Sequence, residues 1–304
     1  MNGLNFGIMI TLNQLNIFLA VARNEHVTKA AEEINLSQSA VSMALSELEK
    51  QLSGPLFERA GRNLRLNDRG RLLQQEANKL TNHLEDMLAL FSDESDLLSG
   101  ELKIGASSTI GIYLLPEIIG RFAREYPDVV ISLEIGNTDY VEKRLLDYSL
   151  DLGFVEGPIH YENIISQSWL QDQLTIIASP DYFKSKKRQL TIRELNQMKW
   201  IMREHGSGTR EVFEKALQPF VERINTFLTF GHTEAVKQAV KASLGLGCLS
   251  LYTVSQELER GSLIELKVPE VNLERQLHVI TRKNSFQSRL RKRFRDFVFD
   301  VGNN

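Results

Sequence analysis

Apolar residues recur every three to four positions in the first 50 residues of the chain, and this spacing predicts three short helices. The first begins at Thr11, which stands three residues before Gln14, as the two partners of a capping box do. Its inward face is predicted to comprise Leu12, Leu15, Phe18, Leu19 and Ala22. The second is predicted to begin near Thr28 and to carry Ala30 and Ala31, whose small side chains let another helix approach closely.

The third helix follows after a short turn, with Ser37 as its predicted cap. Its inward residues are predicted to be Ala40, Val41, Leu45, Leu48 and Leu52. Two short helices joined by a tight turn form the helix-turn-helix pattern. The alternating, turn-punctuated residues 55–70 then predict a hairpin, or wing.

A long helix is predicted from about 67 to 91. Its apolar residues keep heptad spacing, at Leu73, Ala77, Leu80, Leu84, Met87 and Phe91. This narrow stripe indicates pairing with a partner helix, as in a coiled coil. Packing of the helix on its own domain stays open as the alternative. Residues 92–101, acidic and rich in serine, predict a hinge.

Beyond the hinge, short apolar runs alternate with helical patterns. The predicted strands are residues 102–106, 129–135, 150–155, 174–179, 200–202, 227–231 and 277–281. Such alternation favours mainly parallel sheets covered by helices. The chain is therefore predicted to be multidomain, with an all-α winged helix-turn-helix and a long linker helix before an α/β domain.

Charge changes the picture in one segment. The formal net charge of the chain is -3, which gives no overall attraction to nucleic acid. Between residues 50 and 71, however, six basic residues outweigh two acidic ones, a balance of six minus two, or +4; the basic residues are Lys50, Arg59, Arg62, Arg65, Arg69 and Arg71. This local patch is the predicted electrostatic footprint for nucleic acid.

The stretch from Leu12 to Gly70 resembles the N-terminal domain of LysR-type transcriptional regulators. The similarity includes the paired alanines 30 and 31, LSQSAVS at 36–42, and PLFER at 55–59 followed by Arg62. One departure is Ser39, where many members have proline; serine is expected to preserve the helix start.

The resemblance implies a winged helix-turn-helix over 1–66, a dimerisation helix and hinge over 67–100, and an effector-binding domain over 101–304. That domain would resemble a two-lobed periplasmic binding protein. Lobe I would comprise about 101–172 and 270–304, and lobe II about 173–269. The resemblance further implies homodimers that pair into homotetramers, and RNA polymerase as a further partner.

Promoter DNA is the expected partner of the first domain. A recognition helix presents its N-terminal residues to base edges in the major groove, and its wing approaches phosphates or a narrow minor groove. The candidate DNA-binding residues are Thr28, Gln38, Ser39, Ser42, Met43, Arg59, Arg62 and Arg65. Because one such motif reads few base pairs, the operator is predicted to be a dyad.

A small anionic metabolite or oxyanion is the expected ligand of the second domain. Hydroxyl residues follow successive strands, where helix N-termini attract anions, although simple helix capping is the alternative for each of them. The candidate effector-binding residues are Ser107, Ser108, Thr109, Asn137, Thr138, Glu156, Arg203, Ser207, Gly208, Thr209, Arg210, His232 and Thr233. No cofactor is predicted.

Several strings resemble a LysR-type subgroup associated with sulphur metabolism and oxyanion effectors. They are GASSTIG, GFVEGP, REHGSGTRE and GHTEAVKQAVKASLGLGCLS. The effector implied by this similarity is a sulphur oxyanion or a sulphur-bearing amino-acid derivative.

An enzyme is not predicted, because the six histidines and one cysteine form neither HExxH nor CxxC, and GSGT lacks the lysine of a phosphate-binding loop. Cys248 is expected in a buried strand, and RLRKRFRDF near the C-terminus is expected to be the solvated side of a helix. The alternative function is a two-lobed solute-binding protein without a transcriptional role.

The first 22 residues lack an early basic cluster, so no signal peptide is predicted. A cytoplasmic, membrane-free protein is therefore expected. Residues 1–8 are interpreted as an extension before the first helix.

Overall fold

The computed structural model describes residues 10–60, 63–90, 98–184, 188–221, 224–283 and 288–302. It divides into two compact units, Met1–Asp93 and Glu94–Asn304. Within the described residues, no helix combines the length and apolar character needed to cross a membrane.

The first unit is a helical domain with a two-stranded wing. Its elements are α1 (Leu12–Asn24), α2 (Val27–Glu33), α3 (Gln38–Gln51), β1 (Phe57–Ala60), β2 (Asn63–Leu66) and α4 (Asp68–Leu90). The capping box at the start of α1 is present, since the Thr11 hydroxyl accepts from the Gln14 amide and the Gln14 side chain accepts from the Thr11 amide. The core packs the fully buried Phe18, Val41 and Leu48 together.

Helix α2 begins at Val27, with His26 as its cap, within one residue of the predicted start near Thr28. The sequence placed two residues of this unit incorrectly. Leu12 is 45% exposed, because the first turn of α1 precedes the packed part of the helix. Ala40 is also exposed, because the first turn of α3 projects away from the core.

Helix α4 uses its apolar residues in two ways. Leu73 and the fully buried Ala77 pack against the core of the first unit, so the alternative of packing on its own domain holds for this half. Farther along, Leu80 and Met87 are 57% and 47% exposed. We call Leu80, Leu84, Met87 and Leu88 the α4 apolar stripe. Phe91 lies outside the described residues.

The second unit is an α/β structure around one long sheet. Its strands are β3 (Gly100–Ser107), β4 (Val129–Gly136), β5 (Leu152–Glu156), β6 (Ile164–Ala178), β7 (Trp200–Arg203), β8 (Thr226–Phe230), β9 (Leu246–Ser250), β10 (Ile264–Leu266) and β11 (Glu274–Arg282). Its helices are α5 (Ser108–Tyr113), α6 (Leu115–Glu125), α7 (Thr138–Leu146), α8 (Ile192–Gln197), α9 (Gly208–Leu217), α10 (Thr233–Lys241), α11 (Leu251–Glu259) and α12 (Arg289–Gly302).

The strand order is β4-β3-β5-β11-β6-β9-β7-β8, with β10 pairing to β6. Strands β3, β4 and β5 pair in parallel, as do β7, β8 and β9. The sheet is nevertheless mixed and not mainly parallel, because β6 and β11 run antiparallel to each other and to their other neighbours. These two strands connect the two parts of the sheet, which we call lobe I (β3, β4, β5) and lobe II (β7, β8, β9, β10).

Each lobe has its own apolar core. Phe122, Phe154 and Phe294 are fully buried in lobe I, and the ring centroids of Phe122 and Phe294 lie 4.9 Å apart. Trp200 and Phe213 pack in lobe II with ring centroids 4.8 Å apart.

Helix α12 departs from the expectation that its basic residues are solvated. Arg291 is only 8% exposed, and its Nη2 lies 2.6 Å from Oδ1 of Asp151. The guanidinium thus forms part of the lobe I interior, because a buried carboxylate compensates its charge.

Candidate functional site

The first turn of α3 is the exposed end of the helix-turn-helix. Gln38 and Ser39 are exposed, Ser42 is half-buried, and Met43 is 73% exposed. The Ser37 hydroxyl accepts from the Ala40 amide at 3.2 Å, so Ser37 caps the helix. The candidate base-reading side chains therefore share one protruding surface.

The wing carries the exposed arginines. Arg59 and Arg65 are exposed and make no ion pair within the described ranges, although Arg65 lies opposite Glu58 in the hairpin register. Arg62 lies outside the described residues. Thr28, on the first turn of α2, is also exposed.

Two other basic residues of the patch serve the structure of the domain. Arg69 donates to the backbone carbonyl of Leu52, and Arg71 donates to that of Leu66 at 2.6 Å. Both guanidinium groups keep their positive charge, because a carbonyl accepts a hydrogen bond without neutralising the donor, but these bonds fix the two side chains to the domain.

In the second unit, the two lobes face each other across a polar seam, which we call the interlobe cleft. Seven predicted hydroxyl residues are buried there: Ser107, Ser108, Thr109, Thr138, Ser207, Thr209 and Thr233. The first four lie at the ends of lobe I strands, and the last three follow strands of lobe II. Because the carboxyl ends of parallel strands share one edge of a sheet, residues distant in sequence meet here.

A buried ion pair that sequence reasoning missed lies at the centre of this cleft. Arg275 on β11 and Asp172 on β6 are each 1% exposed, with Nη2 of Arg275 2.6 Å from Oδ2 of Asp172. Arg275 also reaches one hydroxyl from each lobe, with Nη2 3.4 Å from Oγ1 of Thr109 and Nη1 2.9 Å from Oγ1 of Thr209. The sequence carried no signal for this pair, because Asp172 and Arg275 each precede a predicted strand by two residues.

Glu156, at the end of β5, is the second buried acid of the cleft. Its Oε1 lies 3.6 Å from Nη1 of Arg275 and 3.5 Å from Oγ1 of Thr209. Its Oε2 has no hydrogen-bond partner among the described residues, and neither has the buried hydroxyl of Ser107. Burial raises the pKa of Glu156 above its ordinary value, although the charges of Arg275 and Arg203 oppose that rise. The cleft therefore holds two unsatisfied hydrogen-bonding groups.

Arg203 and Arg210 are positioned by contacts within lobe II. Arg203 is buried, and its Nη1 donates to the Thr233 hydroxyl at 2.6 Å. Arg210 donates to the carboxylate of Glu214 at 2.7 Å and to the carbonyl of Arg203 at 3.0 Å. Arg210 thus supports the strand end that carries Arg203.

Two candidates act as helix caps. The Asn137 side chain accepts from the Tyr140 amide at 2.8 Å, and the exposed His232 ring accepts from the Glu234 amide at 3.3 Å. By contrast, Ser107 and Ser207 occupy cap positions without making a side-chain cap bond. Their hydroxyls are therefore not committed to capping.

Close backbone approach brings the lobes together at Gly208. A Cβ atom there would lie 1.7 Å from the carbonyl oxygen of Glu156. The amide of Asp139 also donates to the carbonyl of Gly206 at 3.2 Å, across the same seam. A side chain at 208 would hold the lobes apart.

His160 joins the lobes on one side of the cleft. Its Nδ1 lies 2.7 Å from the buried Glu142 of α7, and its Nε2 lies 3.0 Å from Glu211 of α9. Burial lowers the pKa of His160, but the hydrogen bond to Glu142 and the two negative charges outweigh burial, so its pKa is raised above the ordinary value. A protonated ring can donate to both carboxylates, whereas a neutral ring has only one N–H.

A cavity of about 900 Å³ lies beside α9, lined by residues that include Pro158, Lys215 and Asn225. It contains none of the cleft hydroxyls. We place the candidate site in the cleft because buried, unsatisfied polar groups indicate a ligand more directly than open volume does.

Cys248 is buried in β9, as expected, and burial raises its pKa. Across the described residues, no group of three His, Cys, Asp or Glu side chains could hold a metal ion.

Comparison with known proteins agrees with this two-part organisation. Residues 12–71 match the model of the bacterial regulatory helix-turn-helix protein, lysR family, and residues 95–302 match the LysR substrate binding domain. The HTH-type transcriptional regulator YeiE of Escherichia coli K12 is 39% identical over 288 residues, which cover 95% of this chain and 97% of that protein. The HTH-type transcriptional regulator CysL of Bacillus subtilis is 30% identical and covers 88% of this chain and 89% of its own.

Solved structures share the fold. A full-length OxyR variant from Pseudomonas aeruginosa aligns with a TM-score of 0.76 at 22% identity, covering 97% of this chain and 95% of that chain. The CcmR regulatory domain of Synechocystis PCC6803, in complex with 2-PG, aligns with a TM-score of 0.63 at 29% identity, covering 68% of this chain and 99% of that domain. With a helix-turn-helix and an effector-binding domain both matched along the chain, this protein belongs to the LysR family of bacterial transcriptional regulators.

Proposed function

We propose that the protein regulates transcription by binding dyad-symmetric promoter DNA under the control of a small anion held in the interlobe cleft. The observation that carries the effector half of this proposal is the meeting of seven buried hydroxyl residues with Arg203 and Arg275. The DNA half is supported by the exposed first turn of α3 and by two exposed arginines of the wing that have no ion pair within the described residues.

In this proposal, Gln38 reads a base edge and the wing arginines contact the backbone. A carboxamide can donate and accept in the bidentate pattern that matches adenine in the major groove. Arg59 and Arg65 are exposed, so the DNA phosphates can approach them without breaking an internal ion pair. Ser39, Ser42, Met43 and Thr28 would complete the contact surface, with Arg62 assigned from the sequence alone.

Dimerisation would supply the second half-site. The α4 apolar stripe leaves Leu80 and Met87 half-exposed, which a partner helix would cover. Two paired motifs would then read half-sites about 34 to 36 Å apart or a multiple of that distance. Tetramers and contact with RNA polymerase extend this proposal on the strength of family resemblance.

The effector proposed is a small oxyanion, with sulphur oxyanions as the first candidates. The subgroup resemblance of the cleft strings supports a sulphur-linked ligand. The CcmR domain solved with 2-PG supports a small-molecule ligand for this type of domain. Hydroxyl groups and helix N-termini from both lobes provide the hydrogen-bond donors that such an ion needs.

DNA binding is tested with the promoter of the protein's own gene and a random duplex of equal length. Gln38→Ala is expected to reduce the preference for the promoter, since a bidentate base contact is worth about 1–3 kcal/mol. Arg59→Ala is expected to weaken binding to both duplexes and to lower the salt dependence by about one phosphate contact. Lys79→Ala, on α4 outside this surface, serves as the control. Unchanged binding in both variants would contradict the proposal.

Effector binding is tested by thermal unfolding with sulfate, sulfite, thiosulfate and phosphate at matched ionic strength. A ligand of the native cleft raises the unfolding temperature by mass action, and Arg203→Met should abolish that rise. A chain deleted for residues 1–66 should still bind the ion and lose DNA binding. If none of these ions raises the unfolding temperature, the assignment of an oxyanion effector is contradicted.

A further inference from the structure

The guanidinium of Arg203 is already occupied by a carboxylate of its own chain. Nε of Arg203 donates to Oε2 of Glu204 at 2.7 Å, and Nη2 donates to Oε1 at 2.8 Å. Two parallel N–H to oxygen bonds of this kind form the fork by which arginine binds carboxylates and phosphates. Glu204 thus contacts the candidate anion-binding arginine in the way that a bound anion would.

The two partners of this pair differ in exposure. The Arg203 side chain is 2% exposed, whereas that of Glu204 is 24% exposed. The amide of Glu204 is fixed to the carbonyl of Phe230 at 3.1 Å, so its side chain can turn toward solvent while the backbone stays in place. An uncompensated Arg203 would remain buried, and it would require another anion.

The same carboxylate also spans the cleft. Nδ2 of Asn137, in lobe I, donates to Oε1 of Glu204 at 3.2 Å. Glu204 therefore joins an arginine of lobe II to an amide of lobe I, which is the bridging position that a ligand between the lobes would occupy. The arginine holds the pKa of Glu204 below its ordinary value, although burial opposes this effect.

We propose that Glu204 is an internal competitor of the effector, a specificity-determining residue whose carboxylate must leave Arg203 before an external oxyanion can take its place. This inference rests on the proposed function and deepens it. The ligand must present two oxygen atoms to the guanidinium, as a carboxylate, phosphate or sulfate group does. A halide offers one point of contact and would not replace the fork.

Competition and a purely structural pairing predict different outcomes. If Glu204 only neutralised Arg203 and the external ion bound elsewhere, away from this arginine, removal of Glu204 would destabilise the protein without improving binding of that ion. If it competes, its removal strengthens anion binding, and the bound ion restores the lost stability. Glu204→Gln keeps the size of the side chain while removing its charge and one acceptor.

The experiment uses the full chain, titrated calorimetrically with sulfate and with phosphate in a chloride buffer of constant ionic strength. Glu204→Gln is expected to bind at least one of the two ions about tenfold or more tightly than the unmodified protein, because the opposing carboxylate is gone. Glu117→Gln is the control, since it removes the same charge from an exposed pair with Arg121 on α6. The affinity of Glu117→Gln for sulfate and phosphate should equal that of the unmodified protein.

Thermal unfolding supplies the second readout. In chloride, Glu204→Gln should unfold at a lower temperature than the unmodified protein, and sulfate should raise its unfolding temperature more than it raises that of the unmodified protein. If Glu204→Gln does not fold, Glu204→Asp provides the test. The shorter aspartate cannot form the same fork with Arg203, so this variant should bind sulfate several-fold more tightly than the unmodified protein.

The outcomes separate the two proposals. Binding of sulfate or phosphate with equal affinity by the unmodified protein and the Glu204 variant overturns the competition and leaves the effector proposal standing. Binding of neither ion by any variant overturns both.

Discussion

At the scale of single residues, Gly208 sets how closely the lobes approach. Its missing side chain leaves room for the carbonyl oxygen of Glu156, which would lie 1.7 Å from a Cβ atom, and for the hydroxyl of Thr138, at 2.9 Å from that position. A backbone carbonyl and a buried hydroxyl cannot move aside for a new methyl group, whereas the end of a flexible side chain could.

Gly208→Ala is therefore expected to lower the free energy of unfolding by about 1–3 kcal/mol, as overpacking does. Urea unfolding measures the change. Gly120→Ala is the control, because a Cβ atom at 120 meets nothing within 4 Å and the residue lies inside α6. Alanine is the better helix former, so that variant should be stabilised by up to about 1 kcal/mol. Equal stability of the two variants would refute this explanation of Gly208.

His160 predicts a dependence of stability on pH. The folded protein raises the pKa of His160 above the ordinary 6.5, because the contacts with Glu142 and Glu211 outweigh burial. A raised folded-state pKa means that the histidine contributes stability fully below pH 6.5 and loses that contribution as pH rises through the raised value.

His160→Gln should accordingly lower the unfolding free energy at acidic pH and differ less from the unmodified protein at alkaline pH. Urea titrations across this range measure the difference between the two proteins. The exposed His83, on α4, provides the control as His83→Gln. A difference that grows with rising pH would have the wrong sign for the proposed bridge.

At the scale of elements, α4 divides between two uses. Its first half completes the core of its own unit through Leu73 and Ala77, and its second half exposes the α4 apolar stripe. A heptad pattern alone cannot distinguish these uses, because both need the same spacing of apolar residues.

Leu80→Glu is expected to weaken the proposed dimer, because the partner helix would then have to bury a carboxylate. Sedimentation velocity over a range of protein concentrations measures the effect. Lys79→Glu introduces the same carboxylate next along the helix, at a position that already pairs with Glu76 and lies off the stripe, and should leave the dimer intact. If both variants sediment as the unmodified protein does, the stripe is not the interface.

The long strand β6 marks where prediction from the sequence reached its limit. The apolar run at 174–179 was recognised, and the structure extends that strand back to Ile164. Residues 165–168 are exposed and largely polar, so they resemble a loop in the sequence. Pairing with β11 makes them a strand, and that partner lies more than a hundred residues away along the chain.

The cleft residues divide for a similar reason. Hydroxyls following strands were found because strand ends share an edge, whereas Asp172 and Arg275 were missed because each lies two residues before a predicted strand, at 174–179 and 277–281. The sequence could not separate Asn137 and His232, which cap helices, from Ser107 and Ser207, which do not. That distinction depends on side-chain direction rather than residue type.

At the scale of the whole molecule, each unit has its own core. Phe18 and Leu48 belong to a cluster confined to the first unit, whereas the cores around Phe122 and Trp200 lie in the second. Calorimetric unfolding is expected to resolve two transitions, one for each unit, because β6 and β11 join the cores of the two lobes in one sheet that unfolds as a whole. An oxyanion that binds the cleft should raise only the transition of residues 94–304. A single transition shifted as a whole would contradict this independence.

The two strands that cross between the lobes have a consequence for exchanging parts among related regulators. Lobe II is one uninterrupted stretch of chain inserted between β6 and β11, and both ends of the second unit belong to lobe I. A graft of a foreign lobe II therefore needs two splice points. Because Asp172 and Arg275 stand at those points and neutralise each other, a workable chimaera has to inherit both from the same parent.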